Sequence, residues 1–212
     1  MKKTIIAAAV ALACGAAQAQ TAPATQFYVV GGVGIAQHDI DGGNITRQLL
    51  DLGYLGATTS VSNDETAWRI GAGWQPHKHF AVEVSYFDLG KPSFTSTANR
   101  PGTFDANVKV TGWAIDLVPQ YQFDNGFGVL GRIGYARTES SASYSGSGAF
   151  RLIETSIDKT HDGWDAGLGV SYAFNRNFGV RAEWTFVPDV GDDTMGGRWD
   201  ANVFSVSALW RF

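Results

Sequence analysis

Phe80-Ala81-Val82-Glu83-Val84-Ser85-Tyr86 alternates between two kinds of side chain. Phe80, Val82, Val84 and Tyr86 are bulky and apolar, whereas Ala81, Glu83 and Ser85 are small or charged. A period of two is that of a β-strand, whose successive side chains point to opposite faces. The same split recurs in 164–174, where Trp164, Ala166, Leu168, Val170, Tyr172 and Phe174 alternate with Asp165, Gly167, Gly169, Ser171 and Ala173. It recurs again in 178–186, with Phe178, Val180, Ala182, Trp184 and Phe186 against Gly179, Arg181, Glu183 and Thr185. A water-soluble barrel holds its apolar face inside and its polar face outside. Here the small and charged face fits the narrower space, so the bulky face must meet hydrocarbon. A closed wall then pairs every backbone group, as a membrane requires. A soluble β-sandwich with these aromatics in its core would need the alternation inverted in strand after strand.

Eight segments carry this period: about 26–38, 66–75, 79–90, 108–122, 127–138, 163–174, 178–187 and 201–212. Three connections are tight, at Pro76-His77-Lys78, Asp124-Asn125-Gly126 and Asn175-Arg176-Asn177, where Pro, Asp, Asn and Gly supply the backbone angles of short hairpins. Four are long, at about 39–65, 91–107, 139–162 and 188–200, and rich in Ser, Thr, Gly, Asn and Asp. Short and long connections alternate strictly. The expected fold is all-β, an eight-stranded antiparallel up-and-down transmembrane β-barrel with short turns at one end and loops at the other. Aromatic residues gather toward both ends of the strands. Trp74, Tyr121, Phe127, Tyr172 and Trp210 lie near the tight turns, and Tyr86, Trp113, Tyr135, Trp164 and Trp184 near the loops. Two such belts match the two interfaces of a bilayer.

Composition agrees. With 44% hydrophobic residues and seven Trp, the 212-residue chain can bury ample apolar surface, against disorder. Sixteen basic against 20 acidic side chains, net −4, argue against nucleic acid as a partner. A single cysteine excludes a disulfide scaffold. Met1-Lys2-Lys3, the apolar run Ile5 to Ala13 and Ala17-Gln18-Ala19 read as a signal peptide over 1–19, leaving 20–212 as the barrel domain. Lys2, Lys3 and Cys14 would leave with it, so 14 basic residues would face 20 acidic ones. A lipoprotein signal at Cys14 would need a large aliphatic residue where Ala11 stands. The expected location is the cell outer membrane, with outer membrane lipids as partners.

The same face assignment puts Arg69, Glu83, Asp116, Arg132, Asp165, Arg181, Glu183 and Arg211 in the lumen. Buried charges need partners, and this balanced set can form an ion-pair network across an eight-stranded interior that side chains just fill. Inward Gly71, Gly73, Gly167 and Gly169 would make room for the long Arg and Glu side chains. The expectation is a plugged, charged lumen beneath four extracellular loops, with a structural or surface-interaction role and ligands met through the loops. The alternative is a narrow porin-like channel for ions or small polar solutes.

Enzyme chemistry is not expected. His77 and His79 flank a tight turn and read as solvated. His38 with Asp39 and Asp41, and His161 with Asp162, lie near the outer rim, where a His-Asp pair can orient a base, but no motif sets a nucleophile beside them. No cofactor is implied, and the scattered histidines show no metal-ligand spacing. Gly31-Gly32-Val33-Gly34 lies within a strand and so is no phosphate loop. Loop 139–148, Ser-rich, reads as flexible and hydrated. The apolar run Leu49-Leu50-Asp51-Leu52-Gly53-Tyr54-Leu55 has three readings: an extension of the wall, a short cap or a contact surface.

Trp68-Arg69-Ile70-Gly71-Ala72-Gly73-Trp74 through Phe80 to Gly90, with its Glu83-Val84-Ser85-Tyr86-Phe87-Asp88-Leu89-Gly90, resembles the second and third strands of the OmpA-like transmembrane domain. Trp113-Ala114-Ile115-Asp116-Leu117 followed by Gly131-Arg132-Ile133-Gly134-Tyr135 is similar to the same family. The resemblance covers about 26–212, and the OmpX and OmpW families share the plan. It implies that Glu83 belongs to a lumen charge network. The ending Val203 to Phe212 resembles the outer-membrane assembly signal, with Phe204, Val206, Ala208, Trp210 and Phe212 on one face, which implies the assembly machinery as a partner. OmpA itself continues into a peptidoglycan-binding domain. This sequence stops at the last strand, so no such domain is expected here.

Overall fold

The computed structural model describes residues 26–99, 101–148, 155–191 and 197–212, so the expected signal peptide lies outside the described residues. Ten strands and one helix follow in chain order: β1 (Gln26–His38), α1 (Gly42–Asp51), β2 (Thr58–Ser62), β3 (Asp64–His77), β4 (Phe80–Asp88), β5 (Ser93–Thr97), β6 (Thr103–Gln122), β7 (Phe127–Gly146), β8 (Thr155–Ala173), β9 (Phe178–Val187) and β10 (Ala201–Arg211). Eight of them close a ring, β1-β3-β4-β6-β7-β8-β9-β10, whose seam joins β10 back to β1 from Tyr28↔Arg211 to His38↔Ala201. Every pairing is antiparallel. β2 and β5 stand outside the ring: β5 pairs with the upper part of β6, and β2 adds to the outer edge of β5.

The tight turns form where Asn and Gly demand them. Asn125 Oδ1 accepts from the Phe127 amide at 3.1 Å, and Asn175 Oδ1 accepts from the Asn177 and Phe178 amides at 2.9 and 2.8 Å. Each Asn thereby satisfies amides that a two-stranded turn leaves unpaired.

The outer wall is apolar over one band. Along β7 it runs from Phe127 through Val129 and Ile133 to Tyr135, all exposed. Eight residue steps at roughly 3.3 Å give about 26 Å of strand, which matches a hydrocarbon core once the strand tilts. Phe127 meets Tyr172 at one edge of this band, and Trp113 meets Tyr135 at the other.

The long connections are less irregular than the sequence suggests. β6 begins at Thr103 rather than 108, β7 runs on to Gly146 through the Ser-rich stretch expected to be flexible, and β8 starts at Thr155. The physical reason is an inversion. Beyond the band the strands stand in water, so the outward face becomes polar (Lys109, Arg137, Glu139) while Val108, Val110, Ala136 and Ala142 turn inward and are buried. The barrel is inside-out in the membrane and conventional above it.

The helix α1 closes over this upper interior. Asp41 caps it, accepting from the Gly43 and Asn44 amides at 2.8 and 3.2 Å. Ile45 and Leu49 are buried beneath it, packed in one cluster with Ile40, Phe94, Val190 and Trp199. Of the three readings of the leucine run, the cap describes Leu49, while Leu50, Leu52 and Leu55 are exposed on its outer side.

Candidate functional site: the charged layer of the lumen

The register of the wall brings the charges together. Glu83 on β4 lies opposite Asp116 on β6, Asp116 opposite Gly134 on β7, and Gly134 opposite Asp165 on β8. Three carboxylates thus occupy one row, and the guanidiniums reach in from other strands. Arg132 bonds Asp116 through Nη1, and through Nη2 it bonds Glu83 at 2.7 Å and Glu183 at 3.1 Å. Arg181 Nη1 bonds Glu83 Oε1, which also accepts from the Tyr28 hydroxyl at 2.6 Å. Glu83, Asp116 and Asp165 are wholly enclosed, and Arg132 and Arg181 nearly so. Glu83 is the hub, with both oxygens engaged by three partners.

Close approach at this layer depends on glycine. A Cβ on Gly73 would collide with the Tyr28 ring, and one on Gly134 with the Asp116 carboxylate. Gly169 makes the same space for Glu183, and Gly71 for Ser85. The Tyr28 ring also lies 5.3 Å from the Arg181 guanidinium, stacking a cation on an aromatic face. Tyr28 is a member of this layer that the sequence reading missed. Its signal was the inward phase it shares with Val30 and Gly32 on β1.

Two of the expected network members sit apart. Arg69 reaches Asp165 only at 3.6 Å and lies 5.6 Å from the Phe87 ring. Arg211, at the far end of β10, enters no ion pair among the described residues, and its head lies beside Gly179. Apolar layers bound the charges on both sides. Val30, Ala81, Val118, Leu130 and Leu209 pack toward the tight turns, and the α1 cap lies toward the loops. Between the charges and the cap is a cavity of about 20 Å³ lined by Arg69, Phe87, Thr185, Val203 and Ser205. That is room for about one water molecule.

On β10, Phe204, Val206, Ala208, Trp210 and Phe212 all face outward, as their alternation requires. The chain matches the family described as outer membrane protein beta-barrel domain over residues 5–212. It belongs to that family. Outer membrane protein A of Serratia marcescens is 30% identical over 222 residues, covering 100% of this chain and 56% of the relative. Outer membrane protein A of Yersinia pseudotuberculosis is 29% identical with the same coverage. The chain therefore spans about half the length of these curated relatives. Among solved structures, Ail, the attachment invasion locus protein of Yersinia pestis, in complex with the heparin analogue sucrose octasulfate, superposes with a TM-score of 0.52 at 11% identity. That superposition covers 89% of this chain and 99% of Ail. As a member of this family the protein resides in the cell outer membrane, with its tight turns toward the periplasm and its cap outside.

The rim histidines do not assemble a catalytic pair. Strand alternation sends His161 and Asp162 to opposite faces. Asp162 is held outside by the Tyr135 hydroxyl at 2.7 Å and by Arg137 at 3.7 Å. His38 turns away from Asp39 and Asp41. It is buried above the lipid-facing band, where its Nε2–H donates to the Leu89 carbonyl at 3.0 Å and its Nδ1 has no partner among the described residues. Burial lowers its pKa, offset in part by the Leu89 carbonyl. Below about pH 6.5 the unfolded segment takes up a proton that the folded one refuses. Stability from neutral His38 is therefore complete above that pH and declines as the medium is acidified. The protection factors of the β1 and cap amides, taken relative to the intrinsic exchange rate at each pH, are expected to fall between pH 7.5 and 5 in the wild type, and His38→Gln is expected to remove that fall. Equal pH dependence in both proteins would refute the assignment.

Proposed function

We propose that the barrel is a closed membrane anchor whose work is done outside, with a structural and surface-interaction role. The observation that carries this reading is the stack inside the ring: a charged layer knotted on Glu83, Arg132 and Arg181 between two apolar layers. Of its buried charged groups, only Asp165, Asp116 Oδ1 and Arg132 Nε lack hydrogen-bond partners among the described residues. A water-filled passage would require separating the Glu83, Arg132 and Arg181 pairs and opening the apolar layers on both sides of them. The outer membrane lipids are the partner of the apolar band, and the outward face of β10 ending at Phe212 is the surface offered to the assembly machinery. The stiff upper strands carry the α1 cap and the exposed Leu50, Leu52 and Leu55 away from the bilayer, where extracellular ligands would meet them. No catalytic role is assigned to any residue.

In planar bilayers the purified barrel is expected to show no large, stable conductance. A steady open level at low voltage would overturn the anchor reading. A second reading, a narrow ion path, is favoured by one observation. Arg69 makes the loosest ion pair of the layer, at 3.6 Å, and borders the cavity. Brief, small openings that change in Arg69→Gln would support it.

A further inference from the structure

The periplasmic hairpin between β3 and β4 holds two histidines that neither the lumen nor the cap uses. His77 ends β3, Lys78 and His79 make the turn, and Phe80 opens β4 opposite His77. Both imidazoles are exposed, yet each is fixed. His77 stacks on Phe80 with centroids 5.6 Å apart, and His79 lies nearly parallel to Tyr121 at 5.8 Å. The backbone of His79 is tied as well. Its carbonyl accepts from the Gln120 amide at 2.7 Å, and its own amide donates to His77 Nδ1 at 3.3 Å. Accepting that bond means that His77 Nδ1 carries a lone pair rather than a proton.

The two rings are 5.1 Å apart at their centroids and inclined by 46°. Two imidazoles sharing one metal ion at a nitrogen distance of about 2.0 Å place their centroids about 4.5–5 Å apart for cis or tetrahedral ligation. The observed centroid separation is close to that range, and rotation of the exposed rings within the turn would bring one nitrogen of each toward a common ion. A metal ion bound at His77 Nδ1 would displace the long contact from the His79 amide, at 3.3 Å.

We propose that His77 and His79 form a two-imidazole chelate for a late first-row divalent cation, of the zinc or copper(II) kind, on the periplasmic face of the barrel. Neutral imidazole is a preferred ligand of these ions, and copper(II) binds most tightly in the series. Two protein ligands leave the remaining positions to water, so the site is labile and exchanges its ion with the surroundings. The aromatic rings beneath the histidines act as positioning groups that hold the pair at chelating distance.

The test uses the full barrel folded in detergent micelles, titrated with Cu²⁺ against glycine as competing chelator and read by electron paramagnetic resonance. One equivalent is expected to bind with nitrogen hyperfine structure from imidazole. His77→Gln and His79→Gln are each expected to weaken binding on the order of 100-fold, because either loss turns a chelate into a single ligand. The double variant keeps His38, His161 and the chain terminus and so measures background binding. Cu²⁺ is expected to displace Zn²⁺ from the wild type, as the affinity order requires. Wild type and double variant binding alike, or either single variant retaining wild-type affinity, would overturn the chelate. Heat-modifiable gel mobility confirms that each variant is folded, and substitutions in an exposed turn leave the lumen layer intact.

Discussion

Glu83→Ala is expected to lower the barrel's stability by about 3–5 kcal/mol, the usual cost of leaving buried charges without their counter-ion. One carboxylate here accepts from the Tyr28 hydroxyl and pairs with both Arg181 and Arg132. Truncation leaves Arg181 with no carboxylate partner and takes one of three from Arg132. Apolar layers on either side keep bulk water from replacing the lost carboxylate. Glu183→Ala is the matched control. Glu183 makes one contact with Arg132, at 3.1 Å, while Arg132 keeps Asp116 and Glu83. Its loss is expected to cost clearly less. Urea unfolding in liposomes followed by tryptophan emission gives both values. A Glu83→Ala barrel no less stable than Glu183→Ala would mean that the hub lies elsewhere.

The second large effect concerns the wall. Leu168 is 64% exposed near the middle of the outward band of β8. Leu168→Arg is expected to cost about 2–4 kcal/mol in a bilayer, since an arginine at mid-depth must be dragged toward an interface. Ser141→Arg, also outward but above the band on β7, is expected to lie within about 0.5 kcal/mol of wild type. The pair separates the hydrocarbon-facing wall from the water-facing one by the same introduced side chain. Equal costs at the two positions would refute the boundary between them.

Much of the wall was legible because the period of two survives even where the environment changes. The inward members of the charged layer could be named from phase alone, since Glu83, Asp116, Arg132, Asp165, Arg181 and Glu183 each alternate with outward residues of which at least one is bulky and apolar. The upper strands were misjudged because the sequence reading looked for one polarity of alternation. On β6 the outward series runs Leu117, Ile115, Trp113 and then Thr111, Lys109, Asn107, while the inward series runs Asp116, Ala114, Gly112 and then Val110, Val108. The phase never slips, but the meaning of each face reverses at Trp113, and a polar outward face there reads as loop composition. Tyr28 was missed for a related reason. An inward tyrosine on a strand with outward Phe27 and Val29 looks like interface aromatic content until Gly73 is placed across from it. His77 and His79 were visible as a pair at the turn, but the stacking of His77 on Phe80 and of His79 on Tyr121 depends on a bulge between Trp74 and His77 and on the pairing of β4 with β6.

The members of the charged layer are far apart along the chain. Glu83 and Arg181 are separated by 98 positions, and Tyr28 and Arg181 by 153. A hairpin-by-hairpin insertion therefore leaves guanidiniums and carboxylates stranded in an open sheet until β10 meets β1. Only then do β1, β4 and β9, which carry Tyr28, Glu83 and Arg181, face one another. The layer thus works as a closure sensor: an unzipped barrel is penalised by orphaned charge, and the sealed one is locked by the same groups at a single step.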